Sequence, residues 1–198
     1  MAEREYNRIY QIKVSLRGLR PTIWRRILVP STMTLAQLHD TIQIAMGWSD
    51  AHLHQFVVND DYFGIPDSEF PDDTKNENFY KLYQILRKEK DYLLYEYDIC
   101  DSWEHKVVLE KVFPLQKDIP LPQCIKGQRA CPPEDCGGIW GYQDFLYAIL
   151  EPCHPEHKDM LEWIGGSFDA EFFDIEQTNR MLMRFCKLPG TLANGLMI

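Results

Sequence analysis

The sequence predicts a single α+β domain spanning residues 1–198, with an antiparallel or mixed sheet built from two hairpins and packed by about four helices. Three observations support this prediction. Two separate segments alternate apolar and polar residues, as half-buried strands do. Strand-like and helix-like patterns do not alternate regularly along the chain, which disfavours a doubly wound parallel sheet. A chain of 198 residues is also of ordinary size for one hydrophobic core.

The first hairpin is predicted between residues 10 and 30. Apolar residues alternate with polar ones over 10–16, a turn follows at 18–21, and 23–29 forms the return strand before Pro30. The same alternation places Arg25 on the apolar face of its strand. We therefore expect Arg25 to meet a buried carboxylate.

The first helix is predicted to begin after Thr34. Thr34 and Gln37 have the spacing of a capping box, and Gly47 supplies a C-terminal stop. Between them, apolar residues recur at helical spacing. These residues are Leu35, Leu38, Ile42, Ala45 and Met46.

The middle of the chain predicts a strand, a loop, a short helix and a second hairpin. Residues 53–58 form the strand, 66–78 an acidic surface loop, and 79–88 the helix. Residues 93–99 and 103–109 then alternate as two strands with one apolar face. That face carries Trp103, His105, Val107 and Leu109.

The last third of the chain predicts a cysteine-rich loop over 114–141 and a helical part over 142–198. Prolines stiffen the loop and glycines let it take conformations that other residues avoid, which is typical of a specialised loop. Helical spacing recurs near 145–150, after Pro155, and after Asp174, which has the position of an N-cap.

The formal net charge of −9 disfavours wholesale attraction to nucleic acid or an anionic membrane. The charge is segregated, however. Residues 1–30 carry seven basic and two acidic side chains, whereas residues 50–78 carry one basic and eight acidic side chains. Opposite segments of this kind either pair with each other or face solvent.

No apolar run approaches the ~18 residues that a membrane span needs, and the charged N-terminus is unlike a signal peptide. We therefore expect a cytoplasmic protein.

Several short segments stand in a fixed order along the chain. They are PTIWRR (21–26), LH (38–39), AMGW (45–48), HLHQF (52–56), YEYD (95–98), DSWEH (101–105), ACPPEDCGG (130–138) and GGSFD (165–169). Together, over residues 10–175, they resemble the plasmid pRiA4b ORF-3-like family. The resemblance implies a compact α+β domain of prokaryotic type, found alone or as a passenger of mobile elements, and it implies no particular activity.

Three cysteines suggest a structural zinc site. Cys124, Cys131 and Cys136 are too few for a closed site, so a fourth ligand would come from Cys153 or His154. Their spacing is wider than that of a zinc ribbon. The alternative is a loop held by proline, glycine and buried thiols, without metal.

Two histidines suggest a second candidate ligand set. His52 and His54 are two residues apart, so on one strand they would share a face and could reach one ion, completed by Asp50. The alternative is one histidine in the core and one in solvent.

Asp101 and His105 lie at one end of the second hairpin, together with Trp103 and with Asp98 on the preceding strand. Such a cluster can supply acid–base chemistry or simply orient a turn. The position of His105 on the apolar face favours a hydrogen-bonded core histidine over a catalytic base.

Two functions remain open. The first is a non-catalytic binding module that contacts nucleic acid or another protein through the basic hairpin, with Arg17, Arg20, Trp24 and Arg26 as contact residues. The second is a metal-dependent hydrolase or nuclease-like enzyme, with His52, His54, Asp101 and His105 as candidate catalytic residues. The acidic cluster shows no recognisable catalytic spacing, which favours the first.

Overall fold

The computed structural model describes residues 7–67, 69, 72–116 and 119–186, and in this part of the chain eight strands form one mixed sheet. The strands are β1 (Arg8–Leu16), β2 (Trp24–Pro30), β3 (His54–Val58), β4 (Asp61–Gly64), β5 (Lys75–Asn76), β6 (Tyr92–Tyr97), β7 (Trp103–Pro114) and β8 (Gln123–Gln128). Their order across the sheet is β5-β4-β3-β6-β7-β1-β2-β8. All neighbours pair antiparallel except β4 and β5. The predicted α+β class is confirmed.

Both predicted hairpins are present, and β1 also pairs with β7, so they merge into the centre of one sheet. The alternating residues of β1 and β7 point into a single core. Trp103, His105 and Val107 are completely buried there, as their alternation predicts.

The described helices are α1 (Leu35–Met46), a 3-10 helix (Glu77–Phe79), α2 (Leu82–Ile85), α3 (Gly138–Leu150), α4 (His157–Trp163) and α5 (Ile175–Phe185). Helix α1 begins with the predicted capping box of Thr34 and Gln37. It ends at Gly47, whose φ of 96° is the left-handed conformation that glycine adopts without strain. Asp174 caps α5 through the backbone N–H of Gln177.

Two segments predicted as loops contain regular structure. Within 114–141, β8 extends the sheet beside β2, and α3 begins at Gly138. Within 66–78, β5 and the start of the 3-10 helix are present, and Glu77 is buried. The local composition of each segment does not predict these elements, because the strands that they pair with are distant in sequence. The helix predicted over 79–88 spans only Leu82–Ile85.

Parts of four predictions lie outside the described residues. They are the Glu3, Arg4 and Glu5 portion of the basic segment, residues 68, 70 and 71 of the acidic loop, residues 117 and 118 of the cysteine-rich loop, and residues 187–198 of the C-terminal part. Among the helices of the described ranges, none has the length and apolar character needed to span a bilayer.

Arg25 is buried, but the expectation of a buried carboxylate partner is wrong. Its Nε donates to the Ala45 carbonyl at 2.8 Å, and its Nη1 donates to the carbonyls of Trp24 and Gln128, each at 3.0 Å. The guanidinium also lies 3.9 Å from the centre of the Phe173 ring. Ala45 lies in the last turn of α1, where backbone carbonyls lack partners within the helix. The partly negative end of the helix therefore accepts a hydrogen bond from the buried Arg25 guanidinium, in place of the expected carboxylate.

Candidate metal centre

Three segments that are distant in sequence meet at one point of the structure. His52 lies in the bend between α1 and β3, Asp98 follows β6, and Asp135 precedes α3. His52 Nε2 lies 3.1 Å from Asp135 Oδ1 and 3.7 Å from Asp98 Oδ2. One ligand atom from each residue lies within 4.8 Å of the other two. We call these three residues the His52 site.

His52 Nε2 is buried, yet it has no hydrogen-bond partner among the described residues. Its two carboxylate neighbours are close but lie outside hydrogen-bond geometry. Buried polar atoms without a partner are rare and call for an explanation, such as an ion. An ion bound between the three candidate ligand atoms would give His52 Nε2 a partner.

Backbone geometry holds Asp98 in place. Its φ of 56° is left-handed, a conformation that Asp tolerates better than most residues, and its Oδ1 accepts the backbone N–H groups of Cys100 and Asp101. These bonds, at 3.1 and 3.3 Å, leave Oδ2 to face His52. Asp135 has a similar left-handed φ of 60°.

Asp101 anchors the cysteine-rich segment rather than joining the three-residue cluster. Its Oδ2 accepts the backbone N–H of Gly137 at 3.1 Å, just before α3. A Cβ on Gly138 would lie only 2.6 Å from the Asp101 carbonyl oxygen. The glycine pair therefore allows the two turns to approach each other closely.

Glu134 joins the same loop to the bend that carries His52. Its carboxylate accepts hydrogen bonds from the Tyr97 hydroxyl at 2.5 Å and from both the backbone N–H and the hydroxyl of Ser49. Burial alone would raise the pKa of Glu134, but these hydrogen bonds outweigh it and lower the pKa overall. Burial and the bond to Glu134 raise the pKa of Tyr97, so the tyrosine stays protonated.

The His52 site is open on one side. The side chain of Asp98 is 7% exposed, whereas those of His52 and Asp135 are 28% and 72% exposed. Three protein ligands and an open side are typical of catalytic metal sites, whereas structural sites are closed. The arrangement could hold a divalent cation together with water.

His54 and His52 fall into different groups of candidate ligands among the described residues, so the geometry does not favour the predicted shared ion. Residues 51–53 lie outside β3, and the two-residue period of a strand therefore does not relate the two rings. His54 instead contacts Glu77, and it stacks on His39, which contacts Asp50. Asp50 therefore serves the group of His54 and not that of His52.

His105 lies in the core, where neither ring nitrogen has a hydrogen-bond partner in the described structure. Burial lowers its pKa to about 4. Within the described structure the side chain is completely buried and neutral at pH 7, which favours a core role over that of a catalytic base. The predicted core position is confirmed, and backbone groups of Tyr95 and Trp103 near the ring partly offset the effect of burial on its pKa.

The four proposed zinc ligands do not form a common cluster. In the described ranges, the groups with metal-binding spacing contain none of Cys124, Cys131, Cys136 and His154. Burial raises the pKa of Cys136 to about 12 and also raises those of Cys124 and Cys131. The separation of the four side chains therefore favours the packing alternative.

The basic hairpin carries much of its charge in ion pairs. Arg17 contacts Glu104 at 2.6 Å, and Arg26 makes a two-pronged contact with Glu110 at 2.6 and 2.9 Å. Trp24 Nε1 donates to the Gln128 side chain. The Trp24 ring has the Lys13 Nζ at 4.9 Å and the Arg26 guanidinium at 5.2 Å. Arg20 lies in the exposed turn of the hairpin.

The sequence indicates His52 as a candidate ligand but not the two carboxylates beside it. Its patterns place Asp98 at the end of the second hairpin and Asp135 within a loop motif. Asp135 is 83 residues from His52, and no local period relates such positions. The usable signals are two acidic residues at turns and a stiff Pro-Pro segment directly before one of them.

Comparison with known proteins gives consistent results. A family model described as plasmid pRiA4b ORF-3-like protein matches residues 8–177. An uncharacterized protein, y4hQ, from Sinorhizobium fredii (strain NBRC 101917 / NGR234) is 37% identical over 177 residues, covering 87% of this chain and 89% of the relative. A crystal structure of a protein of unknown function, MM3350 from Methanosarcina mazei Go1, has a TM-score of 0.77 and 39% identity, covering 88% of this chain and 98% of the other.

Proposed function

The chain belongs to the plasmid pRiA4b ORF-3-like family, and from the geometry of its His52 site we propose that it is a divalent-metal-dependent hydrolase. The metal ligands are His52, Asp98 and Asp135. The observation that carries the proposal is the buried His52 Nε2, which faces two carboxylate oxygens and forms a hydrogen bond with neither.

Charge supports a cation at this position. Two carboxylates that face one imidazole repel each other, because the imidazole can neutralise at most one of them. A divalent ion cancels both charges and gives the unpaired nitrogen a ligand bond. One imidazole and two carboxylates suit a first-row ion such as Mn²⁺ or Zn²⁺.

The open side supports catalysis rather than a purely structural role. A cation with three protein ligands keeps positions for water and for a substrate oxygen. A divalent cation held by His52, Asp98 and Asp135 would supply Lewis-acid activation of water and of a substrate carbonyl or phosphoryl oxygen, which is the chemistry that hydrolysis needs.

Metal titration tests the binding step. Protein stripped of metal with EDTA is titrated calorimetrically with MnCl₂ and with ZnCl₂, in the wild type and in His52→Ala. The variant is expected to lose one binding event. His154→Ala is the matched control, because it removes a histidine that the cysteine hypothesis needs and the His52 site does not. If His52→Ala binds as the wild type does, the site is refuted. Loss of binding in His154→Ala would instead support a metal site formed by the cysteines and His154.

Hydrolysis of simple substrates tests the catalytic step. The probes are p-nitrophenyl acetate, p-nitrophenyl phosphate and bis(p-nitrophenyl) phosphate, each with and without added Mn²⁺ or Zn²⁺. We expect cation-dependent release of p-nitrophenol with at least one probe. Asp135→Asn should abolish it without unfolding the protein, since the Asp135 side chain is 72% exposed. Tight binding of the cation without hydrolysis of any probe would contradict the hydrolase proposal.

Contact with nucleic acid or another protein through the basic hairpin is a second proposal. The observation that favours it is Trp24, flanked by Lys13 and Arg26 at cation–π distance. Glu104 and Glu110 already pair with Arg17 and Arg26, so only a weak attraction for phosphate remains.

A further inference from the structure

A cavity beside the end of α1 is separate from the His52 site. Its volume is about 380 Å³, and it lies between residues 44–48, residues 130–131, and the segment that runs from residue 172 into α5. We call it the Arg25 cavity, because the buried Arg25 side chain forms part of its wall. The described residues that line it include none of the three His52-site residues. Its volume lies in the range of small-molecule sites in proteins.

Arg25 carries a buried positive charge that no carboxylate balances. The residue is 2% exposed, and within the described ranges its guanidinium forms hydrogen bonds to backbone carbonyls and no ion pair. Burial lowers the pKa of Arg25 from its ordinary value, which reflects the cost of enclosing the charge. The guanidinium nevertheless stays protonated at neutral pH. A negatively charged partner would therefore stabilise it.

Two of the five guanidinium N–H groups have no acceptor among the described residues. Nε donates to the Ala45 carbonyl, and Nη1 donates to the carbonyls of Trp24 and Gln128, which leaves both hydrogens of Nη2. Nη2 is not fully enclosed, since the described polar atoms that are both enclosed and unpartnered belong to other residues. In the planar guanidinium, Nη2 lies on the same edge as Nε, whose acceptor Ala45 lines the cavity. The free N–H groups therefore face the cavity.

Large apolar side chains form much of the remaining wall. The Phe173 ring covers the guanidinium at 3.9 Å, and a Cβ on Gly127 would lie 2.4 Å from that ring, so only glycine lets the ring pack this closely against β8. Phe172 and Met181 also line the cavity, although they are 60% and 40% exposed. Exposed apolar side chains around a few convergent polar groups are typical of a ligand site.

One acidic residue, Asp174, also lines the cavity. Its Oδ1 accepts the backbone N–H of Gln177 at 2.8 Å, so it caps α5, and the partly positive end of that helix offsets its charge. Among the described lining residues, Arg25 and Asp174 are the charged ones. A ligand group with one negative charge therefore suits the cavity better than a dianion such as a phosphate monoester, which Asp174 repels more strongly.

We infer that the Arg25 cavity binds a small organic carboxylate with an apolar body. The carboxylate accepts hydrogen bonds from Nη2 of Arg25, and the apolar body packs against Phe172 and Met181. A charge-assisted hydrogen bond of this kind is stronger than one between neutral groups. The site does not rest on the proposed hydrolase function, because it shares no residue with the His52 site.

An NMR titration of ¹⁵N-labelled protein tests the inference. The ligands are 3-phenylpropionate and its neutral amide, 3-phenylpropionamide, both added in the presence of EDTA so that no metal binds the carboxylate. We expect 3-phenylpropionate to shift the backbone signals of residues 45–48, 130–131 and 172–178 with a Kd of about 1 mM, and the amide to bind about tenfold more weakly. Equal affinities of acid and amide, or no shift of these signals at about 10 mM acid, would overturn the inference.

Two variants on one face of α5 test the location. Substitution of Arg25 itself removes three hydrogen bonds to backbone carbonyls and endangers the fold, so the wall is changed instead. Met181→Asp places a negative charge at the cavity, and Met183→Asp is the matched control, because Met183 is 65% exposed and lies outside the lining. We expect Met181→Asp to weaken binding of 3-phenylpropionate about tenfold. Met183→Asp and His52→Ala should bind it as the wild type does.

Thermal melts of each variant establish that it is folded before it is titrated. Unchanged binding in Met181→Asp, or an equal loss in Met183→Asp, would overturn the assignment of the ligand to this cavity. Loss of binding in His52→Ala would place the carboxylate at the His52 site and would also overturn the assignment. Failure of the hydrolase proposal leaves every one of these expected results unchanged, because the titrations contain no metal.

Discussion

His105 makes the stability of this protein sensitive to acid in a way that one substitution can remove. The residue is completely buried, 5.2 Å from the Trp48 ring and 5.4 Å from the Tyr95 ring between centroids. Neither of its nitrogens has a partner in the described structure, and burial lowers its pKa to about 4. The folded protein therefore holds this imidazole neutral over a pH range in which the unfolded chain protonates it.

The magnitude follows from the difference between the two pKa values. An unfolded histidine has a pKa near 6.5, and one pKa unit is worth about 1.4 kcal/mol. Above pH 6.5 both states are neutral at His105, so the free energy of unfolding is unaffected. As the pH falls below 6.5 the unfolded state gains a proton that the folded state refuses, and stability is lost down to the folded pKa of about 4. The loss across this window is on the order of 3 kcal/mol.

Urea unfolding at pH values from 7.5 to 4, in the presence of EDTA, measures this loss. The comparison is between the wild type and His105→Leu, which keeps an apolar side chain in the core and removes both unpartnered nitrogens. Carboxylates titrate in both proteins, so the difference between the two pH profiles isolates His105. We expect the wild type to lose about 3 kcal/mol more than the variant between pH 6.5 and pH 4. If the free energies of unfolding of the two proteins changed in parallel with pH, the inference that the folded protein holds His105 neutral would be refuted.

Three further outcomes can be measured, two on stability and one on binding. Trp103→Ala should cost ~3–5 kcal/mol in urea unfolding, because a completely buried indole leaves a cavity, and a fully stable variant would contradict the core packing. Gly138→Ala should lower the melting temperature, since its φ is 68° and its Cβ would collide with the Asp101 carbonyl oxygen, whereas Gly165→Ala, also at positive φ but in open space, measures the backbone cost alone. If the two substitutions lowered the melting temperature equally, the close approach of Gly138 to the Asp101 carbonyl oxygen would have no effect on stability, contrary to this prediction. Binding of a DNA duplex can be measured by fluorescence anisotropy. Any such binding should be weak and should weaken further as the salt concentration rises. It should vanish when three basic residues are replaced by glutamate, namely Arg17, Arg20 and Arg26. Binding that survived these changes would exclude the hairpin.

The sheet and the first helix were predictable because their signals are local. Alternation over β1 and β7 places side chains on one face, and the Thr34 and Gln37 capping box marks the start of α1 within four residues. The segment 66–78 shows the limit of such reasoning. Its acidic composition predicts a solvated loop, but Glu77 is buried because His54 lies 2.9 Å away. A contact between distant segments decides that burial, and composition does not show it.

The candidate site shows the same limit. Histidine is a common metal ligand, so the sequence indicates His52, but the strand period pairs it with His54, which lies in a different group of candidate ligands. The actual neighbours follow β6 and precede α3, so the fold must be complete before they meet. Arg25 was correctly predicted to be buried, but its partners are carbonyls at the end of α1 and on β8, which exist as acceptors only once those elements have formed.

Anomalous diffraction from crystals soaked in MnCl₂ is the most direct test of the metal centre. We expect a manganese peak between His52 Nε2, Asp98 Oδ2 and Asp135 Oδ1, within about 2.0–2.3 Å of each, and its loss in crystals of His52→Ala. Water ligands should complete the coordination on the exposed side of Asp135. An empty site at saturating Mn²⁺, or a peak at the cysteines instead, would contradict the central claim.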